Sequence, residues 1–296
     1  MLRNDVLQAL QAWHAPAAQQ AWARLSQSYP QDVALDPLAL LIQALAQVPG
    51  KPAPDTAALA RERQSVHCLI KPAALATLGP QAACQWLVPL WRDIAQRGAH
   101  LRFQAENADG HSAALWLLAG DWAAAEQAVA GIESWRRIPA PLAWMAEARY
   151  RQGGLDGHDK IGGQPAGAAQ RDDHRAWPML AELAWLAPAR FDALQRHLAD
   201  PLLARLRRRF DAGFDGAGDS SDLAWFPAWV LTDTPALATR LALAQPSLHS
   251  AAERGMRLLL DLLALERLGR HHDLVARRKS LRDLCAPLYA AYMASR

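Results

Sequence analysis

The chain has 296 residues, 51% hydrophobic and 21% charged, a composition that excludes a disordered chain and suits one large buried core or two smaller ones. Its net charge of +3 is too small by itself to imply a polyanion partner. Valine, isoleucine and threonine number only 8, 6 and 5, so the composition disfavours strands and predicts an all-α fold.

Apolar periodicity predicts helices over 2–13, 16–28, 37–47, 55–68, 72–78 and 80–97. Asp36-Pro37 places an N-cap acceptor ahead of a proline suited to the first helical turn. Helices follow over 110–119, 122–131 and 141–152, the last led by Pro141. Residues 153–175 hold six glycines and a proline, and residues 211–222 are rich in Gly, Asp and Ser; both are predicted surface loops. The remaining predicted helices are 177–186, 189–198, 201–211, 223–232, 235–244, 250–268 and 271–293. Asp200-Pro201 and Thr234-Pro235 repeat the start signal, Pro178 suits a first turn, and Ser250 with Glu253 reads as a capping box.

The first 16 residues carry Asp5 and lack the apolar core of a signal peptide. The longest apolar runs, 38–46 and 258–265, are too short or too interrupted to span a bilayer. Cys68, Cys84 and Cys285 are far apart and in no C-x-x-C pattern, as expected of reduced thiols. The expected location is therefore the cytoplasm, with no membrane partner.

Residues 112–156 hold two similar segments. The first runs Ala113, Trp116, Gly120, Asp121, Trp122, Ala125, Val129, and the second Leu142, Met145, Ala146, Tyr150, Gly153, Leu155. Gly120 precedes Gly153 by 33 residues and Gly154 by 34, the period of a stacked helix-turn-helix array. The pair resembles the tetratricopeptide repeat (TPR). Ala113 and Ala125 match its small packing residues, Trp116 and Trp122 its aromatic positions, and Gly120-Asp121-Trp122 its turn. In the second segment Ala146, Arg149 or Tyr150, and Leu155 take matching places, while His158 stands where the packing alanine is expected. Leu265, Gly269, His271 and Leu274 form a third, weaker echo. The resemblance implies a right-handed superhelical stack of antiparallel helix pairs, a TPR-like α-solenoid whose groove binds a peptide or partner protein. The alternative is an irregular compact helical bundle. Either a single array spans 1–296, or the chain subdivides into 1–152 and 176–296 across the glycine-rich loop.

Twelve tryptophans outnumber five Phe and four Tyr, with Trp225 and Trp229 on one helix face and Trp86 and Trp91 five apart. Such residues fill gaps between helices, or anchor a partner. The best anchor is Trp135-Arg136-Arg137 at the inter-repeat turn, where guanidiniums beside an indole suit a carboxylate or phosphate. A clamp of Arg136, Arg137 and Arg149, with Trp135 and Trp144 as apolar contacts, is the predicted partner site. The runner-up is a nucleic-acid or nucleotide binder using Arg205, Arg208 and Arg209 on helix 201–210 and Arg277, Arg278, Lys279 and Arg282 on 276–282. The plainer account of both stretches is a solvated helix face.

No H-E-x-x-H, G-x-S-x-G or P-loop motif occurs. His271 and His272 point about 100° apart on a helix, and Asp211, Asp215, Asp219 and Asp222 depart from EF-hand spacing. His67-Cys68 are only sequence neighbours, and Asp172-Asp173 sit with His174 in a loop. No catalytic residue, cofactor or metal site is assigned. The expected function is a non-catalytic helical-repeat scaffold that binds a protein or peptide.

Overall fold

The computed structural model describes residues 2–155, 176–245 and 249–296. Helix is the only regular secondary structure among them, so the all-α class is established. The chain divides into two compact units, Met1–Ile132 and Glu133–Arg296.

The first unit contains α1 (Leu2–Gln11), α2 (Ala15–Ser28), α3 (Leu35–Ala46), α4 (Thr56–Ser65), α5 (Lys71–Leu78), α6 (Pro80–Arg97), α7 (Ser112–Leu118) and α8 (Trp122–Ala130). Most pack on a chain neighbour: α1 on α2, α2 on α3, α5 on α6, α6 on α7 and α7 on α8. The spacing of apolar residues explains why. Leu38, Leu41, Ile42 and Leu45 line one face of α3 and are buried, each burial contributing roughly 2 kcal/mol. Trp86 of α6 is buried with its indole N–H donating to Leu10 O at 2.9 Å, and the Trp13 ring lies 5.3 Å from it.

Two expected helices, 55–68 and 72–78, are one. A π turn, Val66–Ile70, joins α4 to α5, with Lys71 N–H donating to Val66 O. In a regular helix the ring of Pro72 would strike the carbonyl four residues back, and the widened turn removes that clash. α4 also lies directly on the 3-10 turn Ala105–Gly110. A Cβ on Gly110 would sit 2.1 Å from Thr56 O, so only glycine fits there.

The second unit contains α9 (Pro139–Gly153), α10 (Ala176–Leu186), α11 (Pro188–Leu198), α12 (Pro201–Gly213), α13 (Phe226–Asp233), α14 (Ala251–Arg267), α15 (His271–Leu284) and α16 (Ala286–Ala294). α9 packs on α10, α10 on α11, α13 on α14, α14 on α15 and α15 on α16. Phe210 gathers an aromatic cluster, with Phe226 and Trp229 each 5.6 Å away edge-on and Phe214 stacked at 4.8 Å. The expected helix 271–293 breaks at Cys285, whose backbone is extended (φ −155°, ψ 100°), because Pro287 lacks the N–H a continuous helix needs. The expected helix 235–244 narrows to the 3-10 turn Pro235–Leu237 and one helical turn, Ala238–Leu241.

The boundary between units falls inside the repeat pair: α7 and α8 close the first unit, and α9 opens the second. Most of the predicted loop 153–175, with His158, Asp172, Asp173 and His174, lies outside the described residues. α9 and α10, on either side of it, pack together within one unit.

One turn geometry recurs. Gly120 is left-handed (φ +71°), its N–H donates to Leu117 O at 3.1 Å, and Asp121 N–H donates to Trp116 O at 3.0 Å. Asp121 then caps α8, accepting from Ala124 N–H at 3.1 Å. The same two bonds form at Trp13 and His14 between α1 and α2, and at Gly269 and Arg270 between α14 and α15. This is the Schellman arrangement, and in each case the residue after the left-handed one starts the next helix.

Candidate functional site

The Trp135–Arg137 segment forms a 3-10 turn ahead of α9. The Arg136 guanidinium lies 4.7 Å from the centre of the Trp135 ring, as expected of a cation over an aromatic face. The same guanidinium donates to both oxygens of Glu182, at 2.6 and 2.8 Å. Glu182 belongs to α10 and is 1% exposed. It also accepts from Gln245 N–H at 2.7 Å. Burial pushes its carboxyl above the ordinary range, opposed by the Gln245 N–H and by the charges of Arg136 and Arg149.

The five predicted clamp residues therefore separate. Arg136 and Arg149 both act on Glu182, inside the unit. Trp144 is buried within α9, and Trp135 is half-buried beneath Arg136. Arg137 is exposed to solvent. Sequence reasoning missed Glu182, although a signal was there: it is the one charged residue in the otherwise apolar helix AWPMLAELAWL.

None of the twelve tryptophans is exposed. Trp86, Trp91, Trp144, Trp177, Trp185 and Trp229 are buried and the rest half-buried, so indoles fill space between helices.

The arginine stretches are largely occupied by carboxylates. Arg207 donates to Asp211 at 2.8 Å and Asp192 at 2.6 Å, and Arg209 reaches Asp233 at 2.5 Å. Arg278 donates to Glu266 at 3.3 Å and to the Tyr292 hydroxyl at 3.2 Å, and that hydroxyl donates in turn to Glu266. Arg205 and Arg208 are exposed, with no such partner among the described residues.

No family model matches this chain, and no curated protein or solved structure matches it either. No helix among the described residues is long and apolar enough to cross a membrane.

Two grooves in the second unit lie between antiparallel neighbours. One, of about 540 Å³, separates α11 from α12 and has Leu203 and Ala199 in its lining. Arg207 bridges Asp192 and Asp211 there, and Arg196 donates to Asp192 at 2.6 Å, while Arg208 lies in the same lining without a carboxylate partner among the described residues. The other, of about 510 Å³, separates α14 from α15 and carries Leu258 and Leu284. Its lining pairs the N-terminal half of α14 with the C-terminal half of α15, which makes that pair antiparallel.

Proposed function

We propose that the protein is a non-catalytic scaffold that binds a protein or peptide partner, each unit being a short, degenerate TPR-like stack of antiparallel helix pairs. The observation that carries this reading is the recurrence of one Schellman turn in three helix pairs, at Trp13, Gly120 and Gly269. A fold assembled from repeated pairs leaves grooves between neighbouring helices, and such grooves accept extended or helical segments. The pairing of Arg207, Arg209 and Arg278 with carboxylates favours this reading over nucleic-acid binding, which needs uncompensated cations along one path. The cytoplasm is the proposed location.

Selection from a random peptide display library, followed by calorimetry on the enriched sequences, tests the proposal. Saturable one-to-one binding with a Kd on the order of micromolar, and a melting temperature that rises with ligand, are the expected results. Failure to enrich any peptide, combined with salt-dependent retention of single-stranded RNA that Arg205→Glu/Arg208→Glu abolishes, reverses it.

A further inference from the structure

The groove between α14 and α15 differs from its counterpart between α11 and α12 in how its arginines are held, since each lining has three arginines and two carboxylates. Arg254 donates to His249 O at 3.1 Å, and Arg257 donates to Ala244 O and, at 3.5 Å, to Ala242 O. These partners are carbonyls, which hold the guanidiniums in place without neutralising them. Neither arginine has a carboxylate within ion-pair distance among the described residues. Arg277, across the groove, has only the exposed Asp261 at 3.7 Å among those residues. Glu253, beneath the rim, is buried and accepts from His249 N–H at 2.9 Å. Two carbonyl-held guanidiniums and that of Arg277 thus line the groove around Leu258 and Leu284, against the surface carboxylate of Asp261 and the buried one of Glu253.

We infer that this groove docks an acidic peptide segment of a partner protein, with carboxylates flanking a large apolar side chain. The side chain would cover Leu258 and Leu284, and the carboxylates would meet Arg254 and Arg277. Guanidiniums suit carboxylates because their N–H donors match the two oxygens in one plane, and the carbonyl-anchored Arg254 loses little rotamer freedom on binding. A nucleic acid offers no compact apolar side chain to cover the two leucines. The inference deepens the scaffold reading and rests on it.

Fluorescence anisotropy decides, using a short fluorescein-labelled peptide of Asp and Glu around a central Phe. Expected are saturable binding to the full chain, a loss of about tenfold or more in Arg254→Glu/Arg277→Glu, and no change in Arg205→Glu/Arg208→Glu. Replacing the peptide's Phe by Ala should weaken binding severalfold, and circular dichroism should show both variants folded. Equal weakening in both double variants, or tighter binding of oligo-uridine than of the peptide, overturns the groove's assignment. If the acidic peptide fails while a display-selected peptide still binds Arg254→Glu/Arg277→Glu, the groove is wrong and the scaffold stands. If no peptide of either kind binds, both fall.

Discussion

The Arg136 guanidinium reaches across 46 residues of sequence to grip both oxygens of Glu182, a carboxylate almost wholly removed from water. An ionised carboxylate buried without a partner is costly, so removing one member costs more than the intact pair contributes. Arg136→Gln should therefore destabilise the second unit by about 3 kcal/mol, and Arg136→Gln/Glu182→Gln by less than the sum of the single variants. Because burial already raises the Glu182 pKa, its ionised form is the strained one. Folding stability from this group falls as pH rises through the folded value, so the Arg136→Gln defect should be larger at pH 8 than at pH 5. Urea denaturation of the three variants at both pH values checks this; a defect independent of pH would show that Glu182 does not titrate between them. Arg136→Glu accordingly reports on folding, and Arg137→Glu is the cleaner probe of a partner surface.

His111 caps α7, its Nδ1 accepting from Ala113 N–H at 3.2 Å, and burial lowers its pKa to about 4. A histidine whose folded pKa lies below its unfolded value of about 6.5 contributes stability at higher pH that is lost as pH falls through that window. Over the whole window the loss is at most about 3 kcal/mol. His111→Asn keeps a capping acceptor and removes the titration, so the variant should lose less stability than wild type between pH 7 and pH 4. Parallel pH profiles of the two proteins would refute the assignment.

Gly120 has open space where a side chain would go: a Cβ added there would have Trp122 Cζ2 as its nearest neighbour, at 3.7 Å. The cost of Gly120→Val is then conformational, because a β-branched residue is forced to φ +71°. A loss of about 2 kcal/mol is expected, measured by chemical denaturation. An unchanged midpoint would mean that the turn adopts another geometry.

Ala199 ends α11 in the left-handed conformation (φ 50°, ψ 34°) and is exposed. Ala199→Gly should stabilise by about 0.5–1 kcal/mol, because glycine reaches this conformation without a Cβ clash. Ala204→Gly, an exposed interior position of α12, should instead cost about 1 kcal/mol. The opposite signs distinguish a backbone effect from a general response to glycine.

Much of the local structure was legible because capping is a short-range interaction. Asp200 accepts from Leu202 and Leu203 N–H, as Asp200-Pro201 predicts, and Ser250 accepts from Glu253 N–H at 3.2 Å. The reciprocal bond shifted by one residue: Glu253 accepts from His249 N–H rather than from Ser250. Asp36 sits within the first turn of α3, which begins at Leu35, and Ala34 occupies the cap. The break expected between helices 55–68 and 72–78 is absent, because the π turn Val66–Ile70 carries the helix across it.

The sequence by itself determined the helical class, most helix starts, the left-handed turn at Gly120 and the filling role open to tryptophan, because periodicity, caps and backbone preference act within a few residues. Tertiary structure decided what the arginines face. Arg136 and Arg254 look alike in sequence, yet one meets a buried carboxylate from another helix and the other meets a carbonyl, leaving its charge available to solvent. That difference depends on which distant groups packing brings within a few ångströms, where electrostatic interactions in a partly dry environment are strong.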